Sequence, residues 1–188
     1  MPPKAKVSSR DVVDAALQLV RQSGIEALNA RNIAGMLHCS TQPVVTNFAT
    51  MEQLKQAVIA EAENMYLSRQ QEDMNRGDEP PYKACGLSYI RFAQEEKHLL
   101  RLLFMRDRKE EAITASTAEL EFMYAMLQGM LGLSPQDARA FHLEMWVYVH
   151  GIAAMIATNY LPWNRDRVSR MLTDQFRAMR AYYLSKEN

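Results

Sequence analysis

The sequence carries no excess of either charge: 22 Lys and Arg stand against 22 Asp and Glu, with four scattered His. Zero net charge removes whole-molecule attraction to nucleic acid or anionic lipid. A basic face is still permitted, because only the surface that meets phosphate has to be positive. Cysteine is nearly missing. Cys39 and Cys85 fall in separate expected elements and form no metal spacing, which excludes a disulfide framework and suits a reducing compartment. Long apolar runs are missing too; the longest, Met145 to Ala157, is interrupted by His150 and is too short for a bilayer. No charged-then-apolar leader opens the chain, so a cytoplasmic protein with no membrane partner is expected. Catalytic signatures are likewise absent: no Ser-His-Asp order, no Gly-rich phosphate loop before a helix, no nucleophile beside a base. Glu95-x-x-His98 has the spacing of a carboxylate and histidine metal pair. A di-iron bundle needs a second copy and two more carboxylates, so the motif reads as a solvated charged turn. No enzyme, metal centre or cofactor is expected.

What the chain does have is dense helix punctuation. Its 188 residues can bury a real core in two small domains, and 13 Met suit a helical interior that has to reshape. Between Leu28 and Leu54 three helix starts are packed together. Asn29 is the expected cap of a short first helix whose inner face is Ile33, Ala34 and Leu37. His38 and Cys39 make the corner, Ser40 is the expected next cap, and Pro43 lies in the following first turn, where a missing N–H costs little. The second helix, Thr41 to about Phe48, is expected to bury Val44, Val45 and Phe48. That leaves Thr41, Gln42, Thr46 and Asn47 facing out. Gln and Asn can pair bidentately with adenine, and Thr can bond a base edge or touch a thymine methyl. The competing reading is a helical hairpin with a merely solvated face. Thr50-x-x-Gln53 is a capping box for the next helix.

Ahead of this stretch, a helix over about Arg10 to Ser23 places Val13, Ala16, Leu17 and Val20 in one stripe, with Gly24 as its C-terminal cap. Lys4, Lys6 and Arg10 make the first ten residues basic, either an arm along a duplex or an ordinary frayed terminus. Beyond it, a long helix is expected from Thr50 to about Met74, then a break at 75–81 (NRGDEPP). Helices follow over about Pro81 to Gln94, Glu96 to Met105 and Ala112 to Leu131, with a solvated charge run at 106–111 (RDRKEE). Ser134, Pro135 and Asp137 start a further helix, to about Tyr160, that is apolar nearly all round. The last helix, Arg165 to about Leu184, stripes Val168, Leu172, Phe176, Met179 and Tyr183.

The order of these pieces resembles the TetR family of bacterial transcriptional regulators over the whole chain. AALQLVRQSG, then LNARNIA, then STQPVVTNF and MEQL, is similar in register to the family's N-terminal DNA-binding domain. Trp146-Val-Tyr-Val-His150-Gly151 and residues 82–107 (YKACGLSYIRFAQEEKHLLRLLFMRD) are similar to one class of its C-terminal domains. The resemblance implies an all-α fold: an N-terminal three-helix helix-turn-helix domain over 1–50, joined by a long helix to an effector-binding and dimerisation domain over 51–188. It implies a ligand-responsive regulator, a repressor by family habit, bound to a palindromic double-stranded operator as a homodimer through helices at about 135–160 and 165–184. It favours a phosphate, rather than Glu26, as the partner of Arg31. It implies an effector cavity with Phe92, Phe104, Phe122, Met126, Trp146 and His150 as candidates, each of which also reads as plain core; Gly151 beside His150 supports a structural role through close helix approach. The departures are His38 where members usually have Gly, Val45 where many have Tyr, and Met51 where many have Lys. Loss of two phosphate contacts opens a second reading, a sensor or interaction protein with weakened DNA binding.

Overall fold

The computed structural model describes residues 7–107 and 117–186, and among these the chain is all-α. Lys4, Lys6, most of the charge run at 106–111 and the first residues of the helix expected from Ala112 lie outside the described residues. The elements are α1 (Ser9–Ser23), a 3-10 turn (Ile25–Ala27), α2 (Ala30–Met36), α3 (Gln42–Asn47), α4 (Met51–Arg76), α5 (Pro81–Glu95), α6 (Lys97–Phe104), α7 (Thr117–Leu131), α8 (Pro135–Ala157) and α9 (Arg165–Ser185). They gather into two compact units. One holds the chain up to Ser68 together with Glu96–Arg106, the other Arg69–Glu95 and the chain from Asp107 onward. The helix α4 runs through both.

In the first unit, α1 is nucleated by Ser8, whose hydroxyl accepts from the Asp11 N–H at 3.1 Å while the Asp11 carboxylate accepts from the Ser8 N–H at 2.8 Å. This reciprocal box satisfies donors that a helix start otherwise leaves exposed. The buried stripe is Val12, Ala15, Ala16, Leu19 and Val20. It is turned from the expected one: Val13 and Leu17 are only half-buried, because α2, α3 and α6 all pack on α1 and the covered arc centres on Ala16. Gly24 ends the helix at φ 82°, a backbone state that favours glycine, and a Cβ there would crowd His98 Nδ1 at 3.1 Å. Arg21 Nε donates to Glu96 Oε2 at 2.9 Å, and Arg10 forks onto Glu61 at 2.9 and 2.8 Å.

The second unit has its core in Phe141, Leu127, Ala138, Met145, Met179 and Tyr183. Ser134 caps α8 by accepting from the Asp137 N–H at 3.1 Å, with Pro135 in the first turn. The helix stops at Ala157, three residues before the expected end. Asn159 turns left-handed at φ 58°, and Tyr160 N–H returns to the Met155 carbonyl at 2.9 Å, closing the terminus. An 18-residue stretch of α8 with a mean hydropathy of 1.2 has the length and composition of a membrane span, and the helix packs against α5, α7 and α9 on one side. On its other side Leu143, Trp146, Val147 and Met155 remain exposed.

Candidate nucleic-acid interface

The corner between α2 and α3 is built from backbone bonds. Asn29 Oδ1 accepts from the Asn32 N–H at 2.9 Å, starting α2 as expected. At its end the Cys39 N–H reaches the Ala34 carbonyl at 3.0 Å and the His38 N–H reaches Gly35 at 3.2 Å. That pair of bonds wants a residue at positive φ between them. His38 fills the place at φ 51°, a backbone state that costs a side-chain-bearing residue more than glycine. Ser40 does not cap α3. Thr41 stands at the cap position in helical backbone and makes no side-chain cap bond, so α3 is only Gln42–Asn47. Such a helix is held by tertiary packing, not by its own propensity. Val44 is its anchor, buried with Ile33 and Ala34 in the unit's core and contributing about 1.5–3 kcal/mol.

Two expected orientations are corrected. Val45 was expected inward and is 59% exposed. Asn47 was expected outward and is half-buried, its amide donating to the carbonyls of Pro43 at 2.8 Å and Val7 at 3.2 Å. The outward face is therefore Thr41, Gln42, Val45 and Thr46. Gln42 and Thr46 are already ordered against each other: Thr46 Oγ1 donates to the Gln42 carbonyl at 2.8 Å, and Gln42 Nε2 donates to Thr46 Oγ1 at 3.2 Å. Immediately after α3, Thr50 caps α4 by accepting from the Gln53 N–H at 3.1 Å. Gln53 returns to the N–H of Ala49 at 3.2 Å, one residue earlier than an ideal box. Met51, first in α4, is 39% exposed.

Positive charge close to α2 and α3 is sparse, Arg31 being the one Lys or Arg between Leu28 and Leu54. Arg10 and Arg21 are committed to carboxylates. Arg31, in the first turn of α2, is exposed and makes no ion pair with Glu26 or any other carboxylate among the described residues. Its guanidinium faces solvent at the same helical pair that sets α3.

The six cavity candidates fall in both units. Phe104 packs edge-to-face on Tyr66 at 5.3 Å in the first unit. In the second, Phe92 is fully buried, Met126 packs against the core cluster, and Phe122 is 52% exposed. Trp146 and His150 are stacked at 4.9 Å and 15°. His150 Nδ1 lies 2.7 Å from the Tyr89 hydroxyl, tying α8 to α5. Burial pushes the Tyr89 phenol up and lowers the His150 pKa, so a neutral imidazole accepting from Tyr89 O–H is the favoured arrangement. Gly151 was expected to admit a close helix, yet no other helix of the described residues comes within 4 Å of where its Cβ would stand. It belongs to the open side of α8. Glu95 binds Arg69 at 2.9 Å, and no group of three or more potential metal ligands occurs among the described residues.

Residues 82–180 match the family described as "Tetracyclin repressor-like, C-terminal domain". Solved structures share the fold over nearly the whole chain. One is a protein of unknown function from Rhodococcus sp. RHA1, 19% identical, with a TM-score of 0.73, covering 94% of this chain and 96% of that one. A TetR-like transcriptional regulator from the same organism is 12% identical, with a TM-score of 0.67 and coverage of 92% and 94%. A TetR-family member from Streptomyces coelicolor A3 is 19% identical, with a TM-score of 0.61 and coverage of 88% and 96%. No curated protein matches the chain.

Proposed function

The chain belongs to the TetR family of transcriptional regulators, and from that premise we propose that it is a cytoplasmic, ligand-responsive repressor that binds a palindromic operator as a homodimer. It works by binding, not catalysis. The observation that carries the reading is the outward face of α3, where Thr41, Gln42 and Thr46 are exposed while Val44 locks the opposite side into the core. Uncharged hydrogen-bonding groups on a helix fixed to a packed base are what base-edge readout in a major groove uses. Arg31, Lys4 and Lys6 supply phosphate contacts, and Asn47 sets the pose of α3 through its two carbonyl bonds. The domain roles follow the chain: residues 1–50 read DNA, and 51–188 bind effector and dimerise through α8 and α9. Two copies present α3 to half-sites about 34–36 Å apart or a multiple of that. An effector releases the operator by changing that spacing through α4.

The test is binding of the purified protein to DNA upstream of its own gene, against a scrambled fragment, at two salt concentrations. A preference for the native fragment that survives the higher salt supports the reading; equal binding to both fragments at low salt sinks it.

A second reading is favoured by one observation. Val45 and Met51, both solvent-exposed, put apolar groups where many members of the family put phosphate-binding Tyr and Lys. On this reading the fold serves as a small-molecule sensor or interaction protein whose grip on DNA is weak.

A further inference from the structure

We infer that the second unit binds a small zwitterion of amino-acid size in the cleft between the end of α4, α5 and the α8–α9 connection. The inference deepens the regulator reading and rests on it for any effect on DNA, though not for the binding itself. The cleft measures about 170 Å³ and is walled by Asp73, Ser88, Arg91, Glu95, Trp163 and Arg165 among others. A cavity of about 150 Å³ holds benzene, so the space admits a ligand of roughly six to ten non-hydrogen atoms.

Two groups on one face of α5, three residues apart, are built for a guest. Ser88 is 2% exposed, and its Oγ has no hydrogen-bond partner among the described residues, although a helical serine ordinarily bonds back to the preceding turn. Arg91 Nε is also buried without a partner, while the other end of its guanidinium is held by Asp73. Buried polar groups are nearly always satisfied, and both of these groups can donate, so they call for an acceptor such as a carboxylate.

The remaining walls decide against a simple anion. Four carboxylates line the cleft (Asp73, Asp78, Glu79 and Glu95) together with three guanidiniums, Arg76, Arg91 and Arg165. Most are already cross-paired: Asp73 with Arg76 at 3.2 Å, Glu79 with Lys83 at 3.0 Å, Glu95 with Arg69 at 2.9 Å. A lone anion meets the carboxylates and a lone cation the guanidiniums, whereas a zwitterion is attracted at both ends. Its carboxylate accepts from Ser88 O–H and Arg91 Nε–H, its ammonium faces Asp78 and Glu95, and Trp163 with Leu87 covers its apolar part. Asp73 and Arg76 belong to α4, the helix that begins directly after the α3 region, so the cleft wall is continuous in the chain with the DNA-proximal segment.

Calorimetry and melting curves of the full chain with L-amino acids added singly, each beside its decarboxylated amine and its deaminated acid, test the site. At least one amino acid should bind and raise the melting temperature, with both truncated analogues about tenfold or more weaker, and Ser88→Ala should weaken it by about tenfold. The melting temperature of Ser88→Ala alone checks that the variant is folded. The site is overturned if no amino acid binds at millimolar concentration, if an amine or acid binds as well as its parent, or if Ser88→Ala and Arg91→Met both leave affinity unchanged. A gel shift with upstream DNA and no amino acid separates the two claims. DNA binding without amino-acid binding removes this site and leaves the regulator reading standing; amino-acid binding without DNA binding keeps the site and removes that reading.

Discussion

Arg21, at the end of α1, and Glu96, the residue before α6, form a two-pronged ion pair, with Arg21 Nε 2.9 Å from Glu96 Oε2. Glu96 is buried while Arg21 is nearly half exposed, and the hydrogen bond to Glu96 raises the Arg21 pKa. The pair therefore fastens the small N-terminal bundle to a segment far along the chain. Its two halves are not equivalent. Arg21→Ala strands a buried carboxylate, whereas Glu96→Gln leaves an arginine that water can reach and an amide that still accepts from it. Urea midpoints should show a loss of roughly 2 kcal/mol for Arg21→Ala and about 1 kcal/mol for Glu96→Gln, both discounted for the solvent at Arg21. The reverse order would mean that the pair acts through something other than the buried charge.

On α3, Gln42 and Asn47 carry amides with opposite jobs. Gln42 is exposed and bonds to Thr46 within its own helix; Asn47 is tied to two backbone carbonyls. Gln42→Ala should leave stability unchanged and relax discrimination at one base-pair position by about 1–3 kcal/mol. Asn47→Ala should cost about 1 kcal/mol of stability and weaken every DNA sequence alike. Competition binding with single-base operator variants, paired with thermal melts, distinguishes the two. Uniform weakening by Gln42→Ala would rule out base readout by that side chain.

Met51→Lys and Val45→Tyr should both tighten DNA binding, but only one should change its salt dependence. A lysine that meets a phosphate steepens the slope of log affinity against log salt by about 0.9, whereas a neutral phenol adds a hydrogen bond and no counterion release. Fluorescence anisotropy over a salt series reads both. If Met51→Lys tightens binding with no change of slope, the start of α4 does not lie against a phosphate.

How far these features were legible beforehand depended on whether one element sufficed to set them. Asn29, Gly24 and Ser134 act through bonds a few residues long, and each caps the helix expected of it. The outward face of α3 was legible in part. At 3.6 residues per turn, Gln42 and Thr46 lie roughly 160° from the anchor Val44, whereas Asn47 lies only about 60° away. Treating Val44 and Val45 as one apolar pair hid this, and Val45 joined the core on paper while remaining in solvent. Nothing local could reveal Ser88 and Arg91 as a site. Their setting is made by Asp73, Glu79 and Trp163 from other segments, and a serine among apolar neighbours in α5 looks like filler.

His142 gives the protein an acid-sensitive joint. Its Nδ1 lies 3.1 Å from the Tyr82 hydroxyl, and burial lowers the imidazole pKa below its usual 6.5. Above that value both folded and unfolded chains are neutral at this position. As pH falls through it, the unfolded chain takes a proton that the folded one refuses, so stability is lost on acidification. His150 and His98, also lowered by burial, act in the same direction. Denaturation midpoints between about pH 7.5 and 5.5 should fall, by at most about 1.4 kcal/mol per pH unit for His142 and by less for the more exposed His150 and His98. His142→Gln keeps an acceptor for Tyr82 and should flatten part of that fall. An unchanged profile would show that His142 protonates as freely folded as unfolded.

The open side of α8 places Leu143, Val147, Gly151 and Met155 at four-residue intervals, with Leu143 61% and Val147 58% exposed. Four such positions in a row form a ridge on one helix face, and a second copy of the same ridge is the covering that fits a two-fold interface. Val147 makes little contact inside its own unit, so Val147→Glu should leave the single chain folded. Two carboxylates brought together at the centre of an apolar seam are poorly solvated and repel. Light scattering after gel filtration should find a dimer for the parent and a monomer for Val147→Glu at micromolar concentration. DNA affinity should then fall by far more than any single contact on α3 is worth, because two coupled half-sites become two separate ones. A Val147→Glu protein that stays dimeric would place the seam elsewhere and leave this apolar row without its partner.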